Sequence, residues 1–128
     1  MILLLDTSTP VCKVWVQADS TTSEYTWEAG RGLSLGLLRF MQKCLADVDA
    51  QWSDLSGIVV FKGPGSFTGL RIGISVVNAL AETRNLPIIG MTGDDWRAGG
   101  LVRLHAGESD GIVLPEYGGE AHITMPRK

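Results

Sequence analysis

Two cysteines, two histidines and a charged fraction of only 20% are what this 128-residue chain is short of. Cys12 and Cys44 stand in apolar stretches with no CxxC spacing and no histidine cluster beside them, so neither a zinc site nor a redox pair is supported. Two buried free thiols are expected instead. His105 and His122 are isolated residues late in the chain and are expected on the surface, and no Ser/His/Asp or Cys/His arrangement can be assembled. No catalytic residue and no metal ligand is therefore assigned. Long apolar runs are missing as well. The one at the N-terminus, Met1 to Leu5, stops at Asp6, far short of a signal-peptide core or of the roughly 20 residues of a membrane span. A cytoplasmic protein without membrane contact is expected. Positive charge is also scarce: the formal net charge is -3 and the pI ≈ 5.2, which argues against holding nucleic acid by broad phosphate neutralisation. Any link to RNA is expected to be indirect.

Hydrophobic residues make up 45% of the chain and the mean hydropathy is +0.14, a composition that folds around a real core. The length allows one ordinary domain and leaves no room for two full-sized lobes with a cleft between them. No repeat or low-complexity tract is present, and the one composition shift, from Gly93 to Gly119, is expected to be a loosely structured tail.

Ile2 to Leu5 reads as a strand buried on both faces that delivers Asp6 to its C-terminal end. After the turn cluster Thr7 to Pro10, Val11 to Val16 alternates as a second strand, and Thr22 to Ala29, rich in β-branched and aromatic residues, as a third. The period then changes. Leu33, Leu37, Phe40, Met41, Cys44, Leu45 and Val48 recur at spacings of three and four, predicting an amphipathic helix whose stripe is widened by Leu35 and Leu38. Gly57 to Phe61 reads as a buried strand, Phe67 to Thr83 as a second helix and Pro87 to Gly90 as a short strand. The order of elements predicts an α/β sheet with an antiparallel half and a parallel half.

Chemistry, if any, lies in two segments. The loop Gly63-Pro-Gly-Ser-Phe-Thr-Gly69 joins a buried strand to a helix, as phosphate-binding loops do, with Gly63, Gly65 and Ser66 as candidate phosphate contacts. Its glycine spacing is one residue longer than the dinucleotide fingerprint and no Gly-Lys-Ser/Thr closes it, so a structural turn with Ser66 as helix cap is favoured. Asp6, Thr7 and Ser8 group a carboxylate and two hydroxyls in one turn. They read equally as a nucleotide contact and as groups that only satisfy backbone donors. The helix after the loop is apolar almost all round, and the first helix is too apolar for one sheet face. A partner interface is therefore expected over Leu33, Leu37, Phe40, Met41, Gly69, Ile72, Gly73, Val76, Val77 and Leu80. Gly69 and Gly73, four apart, fit close approach either to another helix or to the chain's own sheet, and the first is favoured.

Ile2-Leu-Leu-Leu-Asp-Thr-Ser-Thr9, together with Gly63-Pro-Gly-Ser-Phe-Thr-Gly-Leu-Arg-Ile-Gly73, resembles the bacterial TsaB family, also called YeaZ, of threonylcarbamoyladenosine synthesis on tRNA. The resemblance extends through Pro87 to Gly90. It implies a single actin-like ATPase lobe (ASKHA, RNase H-like) of α/β class, with a mixed five-stranded sheet and two main helices. Residues 1–91 would form that lobe, with 92–128 a Gly-rich segment and tail packed on the same domain. The implied role is that of a glycoprotease-like, non-catalytic subunit that pairs with TsaD through the two helices. TsaE would join the assembly, a homodimer would form in isolation, and ATP or ADP would not be bound. Relatives often carry a histidine near the start of the first helix, where this chain has Leu33. They also continue after Gly90 through a second lobe, whereas here Ile112 to Tyr117 and Ala121 to Pro126 resemble the family's Pro-x-Tyr tail; an internal deletion is the expected account. A nucleotide-dependent phosphotransfer or hydrolase enzyme and a self-associating homodimeric module are the alternative expectations.

Overall fold

In the computed structural model the described residues are 1–117; the expected tail segment from Ala121 to Pro126, with His122, lies outside them. Five strands form one mixed sheet in the order β3-β2-β1-β4-β5. β1 (Ile2–Asp6) runs antiparallel to β2 (Val11–Ala18), with Leu4 opposite Trp15, and β2 runs antiparallel to β3 (Thr21–Glu28). On its other side β1 lies parallel to β4 (Gly57–Phe61), which in turn lies parallel to β5 (Ile88–Met91). The uninterrupted apolar runs of β1 and β4 are explained by this central position, since both of their faces are covered.

The pleat divides the core in two. Leu3, Leu5, Val14, Ile58, Val60 and Ile88 point to one face, where α1 (Leu33–Asp47) and α2 (Phe67–Arg84) cover them with Leu37, Met41, Leu70 and Val77. Each fully buried side chain of this kind contributes about 1.5–3 kcal/mol relative to an exposed one. Ser66 caps α2 by accepting from Gly69 N at 3.3 Å, and Asn85 ends it in the left-handed conformation (φ 56).

Leu4, Trp15, Val59 and Ile89 point to the other face and meet a third helix, α3 (Trp96–His105), through Trp96. This corrects the expectation of a loose segment beyond Gly93: a third, shorter helix stands beside the two main ones. Trp96, Gly100 and Leu104 recur at intervals of four, and a Cβ on Gly100 would collide with the side chain of Val59. Gly100 is there to let the helix lie against the strand. Trp15 and Trp96 meet edge to face at 5.5 Å, and Arg97 lies over the Trp15 ring at 4.3 Å. Among the described residues no helix is long and apolar enough to cross a membrane.

After α3 the chain returns along the outer edge of β5. Ser109 Oγ accepts from Ile88 N at 3.1 Å, Asp110 N donates to Ile88 O at 2.7 Å, and the Asp110 carboxylate accepts from Gly90 N at 2.8 Å. Arg103 clasps the same segment, at 2.7 Å from both Glu108 and Asp110. Farther on, the Asn78 amide exchanges two hydrogen bonds of 2.9 Å with the backbone of Val113, which is only 2% exposed, and Tyr117 packs on Phe67 with ring centroids 4.1 Å apart.

Candidate functional site

Asp6, Thr7 and Ser8 sit where β1 leaves the sheet. The Asp6 carboxylate accepts from Ser8 N at 2.8 Å and from Ser8 Oγ at 2.6 Å, closing the turn on itself. Thr7 is completely buried and donates its hydroxyl to the carbonyl of Gly69 at 2.7 Å. Ser66 N donates to Ser8 O at 2.7 Å. The two motifs singled out in the sequence are thus the two halves of one contact.

The spacing of the glycines follows from that contact. A Cβ on Gly65 would run into Ser8, one on Gly69 into the carbonyl of Thr7, and one on Gly73 into the Thr7 side chain. Gly63 has φ +131 and lies against the carbonyl of Glu116, a place and a conformation that exclude a side chain. Gly69 and Gly73 therefore serve close approach to the chain's own β1 turn, and the expectation that they serve another helix is corrected. A cleft of ≈ 410 Å³ beside this turn is lined by Asp6, Ser8, Phe61, Pro64, Gly93, Asp94 and Trp96. It offers two carboxylates and no cation, while Ser66 N, Gly69 N and Leu70 N are already bonded within the chain. That is a poor cradle for a phosphate.

Cys12 and Cys44 are both buried, and desolvation pushes each thiol up to about 12, helped by the proximity of Cys44 in the first case and of Asp47 in the second. They are built as core residues and not as nucleophiles. Among the described residues no three His, Cys, Asp or Glu side chains gather as a metal-holding group.

The outer side of the helix pair is different in kind. Leu35 is 94% exposed and Leu38 51% exposed on α1. With Val76, Ala79 and Leu80 of α2 and Trp52 of the short turn between α1 and β4, Leu38 lines a groove of ≈ 590 Å³. Of the residues expected at an interface, Leu33, Leu37, Met41, Gly73 and Val77 are buried in the chain's own core, which removes them from any surface. Phe40 is turned toward β3, 5.2 Å from Trp27 between ring centroids, and Gly69 lies against Thr7. Ile72, Val76 and Leu80 do line the grooves of this face. Leu35, Leu38 and Trp52 were not among the expected interface residues. The first two were legible only as an overly wide apolar stripe, and Trp52 carried no signal beyond its aromaticity.

A sequence model described as TsaD: tRNA N6-adenosine threonylcarbamoyltransferase matches residues 27–93, just over half of the chain. The tRNA threonylcarbamoyladenosine biosynthesis protein TsaB of Escherichia coli K12 is 33% identical, over 82% of this chain and 48% of that protein. Its Bacillus subtilis counterpart is 31% identical, over 91% of this chain and 49% of that protein. The chain thus spans about half the length of these relatives. The structure of YeaZ from Pseudomonas aeruginosa superposes with a TM-score of 0.67 at 31% identity, covering 71% of this chain and 43% of that one. The mixed sheet flanked by helices is accordingly an actin-like, RNase H-like lobe. The chain belongs to the TsaD-type threonylcarbamoyltransferase family, and within it its similarity runs to the TsaB (YeaZ) proteins.

Proposed function

We propose that the chain is a non-catalytic, TsaB-like subunit that pairs with a TsaD-like protein through the outer face of α1 and α2. By that pairing it supports threonylcarbamoyl transfer to adenosine in tRNA, in the cytoplasm. One observation carries the reading: an apolar groove lined by the half-exposed Leu38, on the helix that also exposes Leu35, stands on a lobe whose core is complete without it. Covering apolar surface returns about 25 cal/mol per Å², so a protein face is the occupant such a groove favours. The relatives, named for tRNA threonylcarbamoyladenosine biosynthesis, supply the pathway. tRNA is reached through the partner, in keeping with a net charge of -3. No nucleotide is assigned to the Asp6 turn, because its carboxylate and hydroxyls are engaged with Ser8 and Gly69.

The test is to mix the purified chain with the TsaD-like protein of its own organism and follow complex formation by size exclusion with light scattering. A complex is expected with the unaltered chain, and its loss with Val76→Glu at unchanged circular dichroism. No complex, together with no effect of the chain on tRNA modification, overturns the reading. So does calorimetric binding of ATP with magnesium that Asp6→Ala abolishes, which would favour a nucleotide enzyme.

A further inference from the structure

The return segment along β5 is held in two different ways on the two sides of Gly111. Up to Asp110 it is fastened by charge: Arg103 reaches Glu108 and Asp110 at 2.7 Å each, and among the described residues every ion pair is of this kind. Ser109 and Asp110 at the same time bond Ile88 and Gly90. Gly111 follows with φ +75 and open space where a Cβ would stand, so its torsions can change without a collision. Residues 112–117 beyond it rest on much less. Val113 is the one buried side chain among them, and its neighbours Ile112 and Leu114 are 70% and 72% exposed.

The seat that receives these residues has the features of a peptide receptor. Gly90 of β5 is its floor: a Cβ there would meet the Val113 methyl groups, so the glycine leaves the hollow that Val113 fills. Asn78, on the flank of α2, is its wall, donating Nδ2–H to Val113 O and accepting at Oδ1 from Val113 N, both at 2.9 Å. That pair of bonds is what a neighbouring strand would offer, and it grips the backbone whatever the side chain. At the far end Lys62 O accepts from Glu116 N at 2.7 Å, Gly63 lies against the Glu116 carbonyl, and Phe67 receives the Tyr117 ring. An extended ligand is bound in this manner: backbone bonds toward both ends, one aliphatic anchor in a hollow, one ring on another, and the side chains flanking the anchor in water.

We infer that residues 112–117 are a latch, hinged at Gly111, that opens as a unit while 108–110 stay on β5, and that the seat beneath is a binding site for an extended segment with the latch's own pattern: an aliphatic anchor such as Val113, then an aromatic ring such as Tyr117. In the closed chain the seat is filled in cis. Arg103 keeps the latch beside it at high effective concentration, and a competing segment gains access in proportion to the open fraction. Opening leaves the outer face of α1 and α2 untouched, so the latch stands or falls apart from the pairing proposed there. It is tested on the full chain by hydrogen exchange and by binding of a dye-labelled, amidated peptide of residues 111–117. The Val113 and Glu116 amides are expected to share one protection factor, at least about tenfold below those of the Ile88 and Gly90 amides and nearly independent of urea. The peptide is expected to bind the Val113→Ser chain at least about tenfold more tightly than the unaltered chain, whose own latch competes, and to lose that binding when Asn78→Ala is added. Tyr117→Ala, which loosens the latch at its other end, is expected to act in the same direction and serves if Val113→Ser fails to fold. Val113 and Glu116 amides that exchange only together with those of β1 and β4 make the segment a permanent part of the core and overturn the inference. Peptide binding that is no tighter in either loosened variant, or that ignores Asn78→Ala, overturns it as well.

Discussion

Thr7 donates its hydroxyl to the carbonyl of Gly69 at 2.7 Å across 62 positions of sequence. The same side chain fills the space that a Cβ on Gly73 would need. One buried threonine thus sets both the register and the separation of β1 and α2. Gly73→Ala is expected to destabilise the chain by about 1–3 kcal/mol through overpacking, measured as a lower urea midpoint. Adding Thr7→Ala should cost less than the sum of the two single changes, because it vacates the contested space. Strict additivity would mean that the two residues do not share that space.

Adjacent leucines on α1 separate stability from association. Leu37 is fully buried and Leu38 is 51% exposed. Leu37→Glu places a carboxylate among apolar neighbours and is expected to cost roughly 4 kcal/mol or more, enough to abolish the folded signal in circular dichroism. Leu38→Glu is expected to change stability by no more than about 0.5 kcal/mol while weakening the complex with the TsaD-like protein. Equal stability losses for the two variants would contradict the placement of the groove.

The clasp over the β5 edge is sensitive to acid. Partial burial works against ionisation of Asp110, but the Arg103 guanidinium and the Gly90 N–H outweigh it and hold the carboxyl below its ordinary value. A group shifted this way stabilises the folded chain above the ordinary carboxylate range, and the contribution is lost as pH falls through the lowered value. Hydrogen-exchange protection of the Val113 and Glu116 amides, corrected for intrinsic rates, should decline over that interval. In Asp110→Asn it should be weaker at neutral pH and nearly flat on acidification.

Burial pushes both thiols up to about 12. At pH 8 the folded chain should react with a disulfide reagent far more slowly than the same chain in urea, where both cysteines react at ordinary thiol rates. The unfolded chain releases these protons first, so stability should fall as pH climbs from the ordinary thiol range toward 12. Rapid labelling of two thiols in the folded chain at pH 8 would contradict their burial.

Most of the fold was legible because hydrophobic period and sheet topology agree. The apolar runs of β1 and β4 announce central strands, and the spacings in α1 and α2 announce helices that cover them. α3 was missed for a physical reason: Gly99 and Gly100 read as loop formers, yet Gly100 lets a helix rest on Val59. In the candidate site, period reveals that a helix is apolar over too wide an arc without revealing which part of the arc meets the sheet. Leu33, Leu37, Met41 and Val77 were therefore expected outside and lie inside, while Leu35 and Leu38 are the residues that face solvent. The tie between Thr7 and Gly73 had no local signature, because one half of it is 66 residues from the other in the numbering.

Ser109 and Asp110 occupy Ile88 N, Ile88 O and Gly90 N, the groups that β5 turns away from β4. At the opposite end of the sheet the exposed residues of β3 include Glu24 and Glu28. A foreign strand seeking to extend the sheet meets bonded groups at one border and carboxylates at the other. The return segment is in this sense a solubility device: a chain cut short before Ser109 would keep all five strands and present β5 as an open template for fibrous aggregation.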